Sequence, residues 1–143
     1  MSTNNANFRA ENATKSEDEF IRKHWSELSE STRNAKWINS TDQHEDYPGQ
    51  TLATRSHDVI KHWAEERGAA PATVPNDTHD GYLGVMRLQF PGYGGQGLIS
   101  ASWEEWFNTF DHGDLVFDYQ ETLSNGNQSN FFQLDSPHTS GGG

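Results

Sequence analysis

Ser102-Trp103-Glu104-Glu105-Trp106-Phe107-Asn108-Thr109-Phe110-Asp111-His112-Gly113-Asp114-Leu115-Val116-Phe117-Asp118-Tyr119 is the stretch that decides the fold. Ser102 followed three residues later by Glu105 is a capping box: the Ser hydroxyl accepts from a free backbone N–H of the first turn, and the Glu reaches back to the cap. Trp103, Trp106, Phe107 and Phe110 then fall at i, i+3, i+4 and i+7, one stripe of a 3.6-residue helix. Asp111-His112-Gly113 stops it. From Leu115 the period changes to two, with Leu115, Phe117 and Tyr119 on one face and Val116, Asp118 and Gln120 on the other. A helix that must bury aromatic mass and runs straight into a strand predicts an α+β domain.

The neighbouring sequence extends that reading. Asn125-Gly126 is a strong hairpin signal, favouring a type I′ turn, and residues 129–134 return as a last strand. Residues 82–90 read as one strand, with Met86, Leu88 and Phe90 on one face and Leu83, Val85 and Arg87 on the other. Shorter strands are expected at 72–74 and 98–101. Ser56 caps a helix whose buried face is Val59, Ile60, Trp63 and Ala64. Gly68 takes the left-handed position after it, and Pro71 prevents resumption. The fold class is α+β: a small antiparallel sheet of about five strands with two helices packed on it, plus an appended N-terminal helix. The expected core is Val59, Ile60, Trp63, Val85, Met86, Leu88, Phe90, Trp106, Phe107, Phe110, Phe117, Phe131 and Leu134.

Upstream, residues 1–15 are Asn-, Ser- and Thr-rich and are expected to be disordered. Ser16-Glu17-Asp18-Glu19 is a second capping box, and Phe20, Ile21, Trp25 and Leu28 follow at near-helical spacing. This gives an N-terminal amphipathic helix over 16–30. Residues 31–53 have turn composition and read as a linker. The compact domain then spans 54–135, and 136–143 is a flexible tail.

Composition limits the function. The chain has 143 residues, 31% of them hydrophobic and 12% aromatic, so its apolar mass sits in a few large side chains. Net charge is −11, and no Lys or Arg follows Arg87. A field of that sign repels phosphate backbones and anionic membranes, so neither nucleic acid nor membrane is an expected partner. With no cysteine there is no disulfide, thiol nucleophile or thiolate metal site. No apolar run reaches the roughly 18 residues of a membrane span. Met1-Ser2-Thr3-Asn4-Asn5 lacks the regions of a secretory signal, so a soluble, cytoplasmic protein is expected.

No constellation specifies a reaction. The glycine-rich loop Pro91-Gly92-Tyr93-Gly94-Gly95-Gln96-Gly97 has no following Lys and no helix directly after it, unlike a phosphate cradle. His79-Asp80 and Asp111-His112-Gly113-Asp114 supply metal-ligand types without ligand spacing. Glu104 and Glu105 suit the first turn of a helix without any catalytic role. Asp118, Tyr119 and Glu121 lie on a strand that an active site could use. Ser56-His57-Asp58 is contiguous, whereas triad members converge from separate segments. No catalytic residue, metal ligand or cofactor is assigned.

Several segments, taken together, carry a resemblance. These are Ile60-Lys61-His62-Trp63-Ala64-Glu65-Glu66-Arg67-Gly68-Ala69-Ala70-Pro71-Ala72-Thr73-Val74, Val85-Met86-Arg87-Leu88-Gln89-Phe90-Pro91-Gly92-Tyr93, Ser102-Trp103-Glu104-Glu105-Trp106-Phe107, Tyr119-Gln120 and Ser129-Asn130-Phe131. Over roughly residues 54–135 the chain resembles a small, largely uncharacterised bacterial protein family, some members of which are labelled 1,4-α-glucan-branching enzyme. An enzyme of that kind resembles a large barrel amylase with Asp and Glu catalytic motifs, and this chain of 143 residues contains none of them. The resemblance implies no catalytic residue.

The expected function is that of an acidic binding or regulatory module acting through protein–protein contacts, with itself or another protein. Phe20, Ile21, Trp25 and Leu28 would anchor the N-terminal helix on a second copy, on another protein or on its own domain. The alternative is a small-ligand binder or small enzyme. Its site would lie near loop 91–97 and the start of helix 103–110, lined by Tyr93, Arg87, Trp103 and Tyr119.

Overall fold

The computed structural model describes residues 15–75, 78–79, 81–92 and 97–137, with backbone only at 15–18 and 78–79. Of the disorder expected at 1–15 only Lys15 is described, and it is helical; the side chains of the box at Ser16, Tyr93 with most of the glycine-rich loop, and residues 138–143 of the tail expected at 136–143 lie outside what is described. The chain forms two compact units, residues 1–60 with 114–143, and residues 61–113. Both are mixed α and β.

In the first unit, helix α1 (Lys15–His24) runs into a 3₁₀ turn (Trp25–Glu27) and a short helix α2 (Glu30–Asn34). Ser29 caps α2, its hydroxyl accepting from the Thr32 amide. Strands β1 (Lys36–Trp37) and β2 (Leu52–Thr54) follow. The span 31–53, expected to be a linker, thus holds most of α2, β1 and the start of β2. Trp37 and Ile38 are buried, and the Ile38 amide donates to the Ala53 carbonyl at 2.8 Å. The turn-rich loop between these strands is the long crossover that a parallel pair requires.

Strands β8 (Val116–Tyr119) and β9 (Phe132–Asp135) complete a four-stranded sheet of order β1-β2-β8-β9. β1 and β2 are parallel and the other neighbours antiparallel. The expectation of one antiparallel sheet of about five strands is corrected accordingly. Every residue of β8 is buried, as suits a strand with neighbours on both sides. Ile21, Leu28, Ala35, Trp37, Ala53 and Val116 form a core cluster against which Phe20 and Trp25 pack. Arg55 lies over the Phe20 ring, 4.1 Å from its centroid, and its Nε donates to the Leu115 carbonyl.

The β8–β9 connection is also corrected. A type I′ turn needs positive φ at both Asn125 and Gly126. Only Gly126 has it, at +90°, and Asp114 is the only positive-φ non-glycine among the described residues. The Leu123 amide donates to the Asn127 carbonyl at 2.7 Å and the Gly126 amide to the Leu123 carbonyl at 2.8 Å. This is a three-residue loop with glycine in the left-handed position.

The second unit contains most of helix α3 (His57–Glu66), which begins in the first unit. After it, Gly68 has φ +67°, and the Ala69 amide reaches the Ala64 carbonyl at 2.9 Å, a Schellman closure. Strands β3 (Ala70–Thr73), β6 (Arg87–Gln89) and β7 (Ile99–Ser100) make a three-stranded antiparallel sheet of order β6-β3-β7. β4 (Thr78–His79) and β5 (Tyr82–Leu83) pair separately. The single strand expected over 82–90 is broken over residues 84–86, beginning at Gly84, where glycine weakens a strand interior. Helix α4 (Trp103–His112) has the expected capping box, with both reciprocal bonds at 3.0 Å. Its Trp106 Nε1 donates to the Arg87 carbonyl and its Thr109 hydroxyl accepts from the Leu83 amide. Trp63, Leu88, Trp106, Phe107 and Phe110 are buried in this unit.

Candidate functional site

Of the residues expected to line a site, Trp103 and Arg87 belong to the second unit and Tyr119 to the first. Trp103 is half-buried and stacks on Phe107 at 5.1 Å between centroids. Arg87 is exposed on β6, its guanidinium donating to the Met86 carbonyl. Tyr119 belongs to the other unit, 2% exposed in β8 between Leu52 of β2 and Phe132 of β9, and so lines no open surface. Tyr93 lies outside the described residues. Of the four helix anchors, Ile21 and Leu28 are buried in the core of their own unit, with Phe20 and Trp25 against it. The N-terminal helix is docked on its own domain.

Among the described residues no group of three or more His, Asp and Glu is placed to hold a metal ion. His112 instead stacks on Tyr82 at 3.9 Å. No helix among them is long and apolar enough to cross a membrane.

Two other features of the first unit have chemical content. One is a surface. Residues 44–50, within the β1–β2 crossover, are bonded to the hairpin that joins β8 to β9. His44 Nδ1 lies 2.8 Å from Glu121 Oε2, and the Glu45 amide donates to Glu121 Oε1 at 3.0 Å. The Thr122 hydroxyl donates to the Glu45 carboxylate, and Gln120 Nε2 to the Gly49 carbonyl. Lys36 Nζ donates to the His44 carbonyl and to Asp46, holding the Asp46 carboxyl below its ordinary value. Gly49 has φ +88°, and a Cβ there would stand 3.2 Å from the Ser124 backbone, so a larger residue would be strained and would crowd the hairpin. Tyr47, Leu123 and Phe131, carried by this loop and hairpin, are 60%, 42% and 42% exposed. Phe131 was expected in the core. The strand expected from residue 129 begins at Phe132, which stacks on Phe117 at 5.4 Å while Phe131 turns outward.

The other feature is the Asp118 carboxyl, wholly buried in β8. Thr32 Oγ1 of α2 donates to its Oδ2 at 2.6 Å and Gln133 Nε2 of β9 at 3.4 Å. Its Oδ1 has no hydrogen-bond partner among the described residues. Burial pushes this carboxyl up to about 6. The nearby Asp135 adds to the rise, while Thr32, Gln133 and Ser31 oppose it. The sequence signal for this site is a lone carboxylate inside Leu115-Val116-Phe117-Asp118-Tyr119.

Compared with protein-family models, curated proteins and solved structures, the chain matches none.

Proposed function

We propose that this protein is a non-enzymatic binding module that acts through protein–protein contacts, at the surface carried by loop 44–50 and hairpin 120–131. One observation carries the reading: among the described residues, three of the four exposed large hydrophobic side chains, Tyr47, Leu123 and Phe131, sit on this one loop and hairpin. Scattered exposed apolar residues need no explanation, but their concentration on braced elements is the mark of an interaction patch. The partner's chemistry follows from charge. Asp42, Glu45, Asp46 and Glu121 flank these residues, and no Lys or Arg follows Arg87 in the sequence. A partner that presents Lys or Arg around an apolar contact complements this surface, whereas a second copy at net charge −11 is repelled.

The test is site-specific photo-crosslinking in an extract of the cell of origin, with a photoreactive side chain at position 123 and a control at exposed Lys61. A discrete adduct is expected from 123 and not from 61. It should weaken with Phe131→Ser and on raising salt from about 0.1 M to about 1 M, which shortens the Debye length from about 10 Å to about 3 Å. Equal labelling from 123 and 61, or an adduct indifferent to Phe131→Ser, removes the proposal.

A further inference from the structure

We propose that Asp118 is a proton-operated latch for residues 29–35, which close over strands β8 and β9 when its carboxyl is protonated and open locally when it is ionised. Of this segment only Thr32 and Ala35 are buried, Ala35 within the core cluster, and the rest is half-buried or exposed. Helix α2 has five residues, too few to persist unaided in water. It is tied to the strands by three polar contacts. Thr32 Oγ1 donates to Asp118 Oδ2 at 2.6 Å, the Ser29 amide to Asp135 Oδ2 at 2.9 Å, and Gln133 Nε2 to Ser31 Oγ at 3.3 Å. Two carboxylates from adjacent strands thus lie under one short helix, and one of them is wholly buried with an unpartnered oxygen.

The balance between closed and open turns on that oxygen. Ionised, Asp118 keeps a charge out of water with donors on Oδ2 only, and opening lets solvent reach Oδ1. Protonated, the group loses its charge, the hydroxyl proton can sit on Oδ1, and Oδ2 still accepts from Thr32 and Gln133. No nearby cation neutralises it among the described contacts. Arg33 of α2 donates to the Leu28 carbonyl, Glu30 is exposed in the first turn of α2, His24 is bonded to Glu27, and the facing residue of β2 is Ala53. Asp135 of β9 is the one charged group whose field on Asp118 is resolved, and it favours protonation. The sign follows: the closed state binds the proton more tightly than the solvated carboxyl at 3.8, so closure is fully supported below that value and support is lost as pH rises through about 6. The span of roughly two units corresponds to a change of about 100-fold in the opening equilibrium.

Amide hydrogen exchange on the full chain, corrected for intrinsic rates, tests this at about pH 4.5 and about pH 7.5. Protection at Ser29, Thr32, Arg33 and Ala35 should fall by roughly 20-fold at the higher pH, because about pH 4.5 already lies above 3.8. Protection at Ile38 and Ala53, in the β1–β2 pair, should hold. Asp118→Asn should abolish the difference. The Asp118 titration, followed by its carboxyl carbon resonance, should move up with Thr32→Val, which removes a donor to the carboxylate, and down with Asp135→Asn. Three results overturn the proposal: pH-independent protection over 29–35, a pH effect that survives Asp118→Asn, or a loss shared equally by Ile38 and Ala53, which would be global unfolding.

Discussion

The carboxyl of Asp118 is held where its neighbours supply half of what a charge needs. Two donors face Oδ2, none among the described residues faces Oδ1, and the group is wholly buried. A native titration near 6, against 3.8 for the exposed group, means that ionisation costs about 3 kcal/mol of stability above about pH 6. The native state holds the proton more tightly than the unfolded chain, so this loss begins near 3.8 and is complete just above 6. Asp118→Asn keeps the shape, removes the charge, and places an amide donor where no acceptor is known, a cost of about 1–3 kcal/mol. The net expectation is a variant up to about 2 kcal/mol more stable than wild type at about pH 7.5 and less stable at about pH 4. Urea unfolding at both values decides it, because only a buried, ionising Asp118 makes the sign of the difference change with pH.

At the scale of elements, a shift of one residue determines which aromatic of Phe131-Phe132 faces inward. β9 pairs Phe132 with Tyr119 and Leu134 with Phe117, so alternation turns Phe131 out. Phe132→Ala should cost about 2 kcal/mol or more by thermal unfolding, and Phe131→Ala only a few tenths; the reverse order would mean the opposite register. The sequence carried much at this scale where short-range signals act alone. Ser102 with Glu105, the stripe Trp106-Phe107-Phe110 and the glycine stop at Gly68 all appear as read. It carried less where long-range contacts decide. β1 has two residues, and nothing local marks Lys36 and Trp37 as partners of Leu52 and Ala53. Residues 39–51 look like a linker because their order comes from polar bonds to Glu121, Thr122 and Gln120, more than 70 positions away. The same holds for the site: Asp118 reads in the sequence as one alternate of a strand, because its cover, Thr32, lies 86 positions upstream.

For the whole molecule, the consequence is that the first unit is built from both ends of the chain. Its sheet takes β1 and β2 from before residue 60 and β8 and β9 from after residue 114. Its core cluster draws Ile21, Leu28, Ala35, Trp37 and Ala53 from the N-terminal side and only Val116 from the other. An N-terminal helix that packed elsewhere would leave a domain starting at Thr54 intact. The observed packing makes the opposite demand. A chain beginning at Thr54 lacks β1 and two of the three residues of β2, which exposes β8, buried at every position, as an unpaired apolar edge. Burying one large aliphatic or aromatic side chain contributes about 1.5–3 kcal/mol. Loss of Ile21, Leu28, Trp37, Ile38 and Leu52 together therefore exceeds most of the roughly 5–15 kcal/mol by which a domain is stable. The truncated chain should aggregate, or show collapsed amide dispersion for residues 116–119 and 132–135 in a ¹H–¹⁵N spectrum. Native dispersion at those eight positions would mean that residues 1–53 add nothing to the sheet, and the docking of the N-terminal helix on its own core would have to be abandoned.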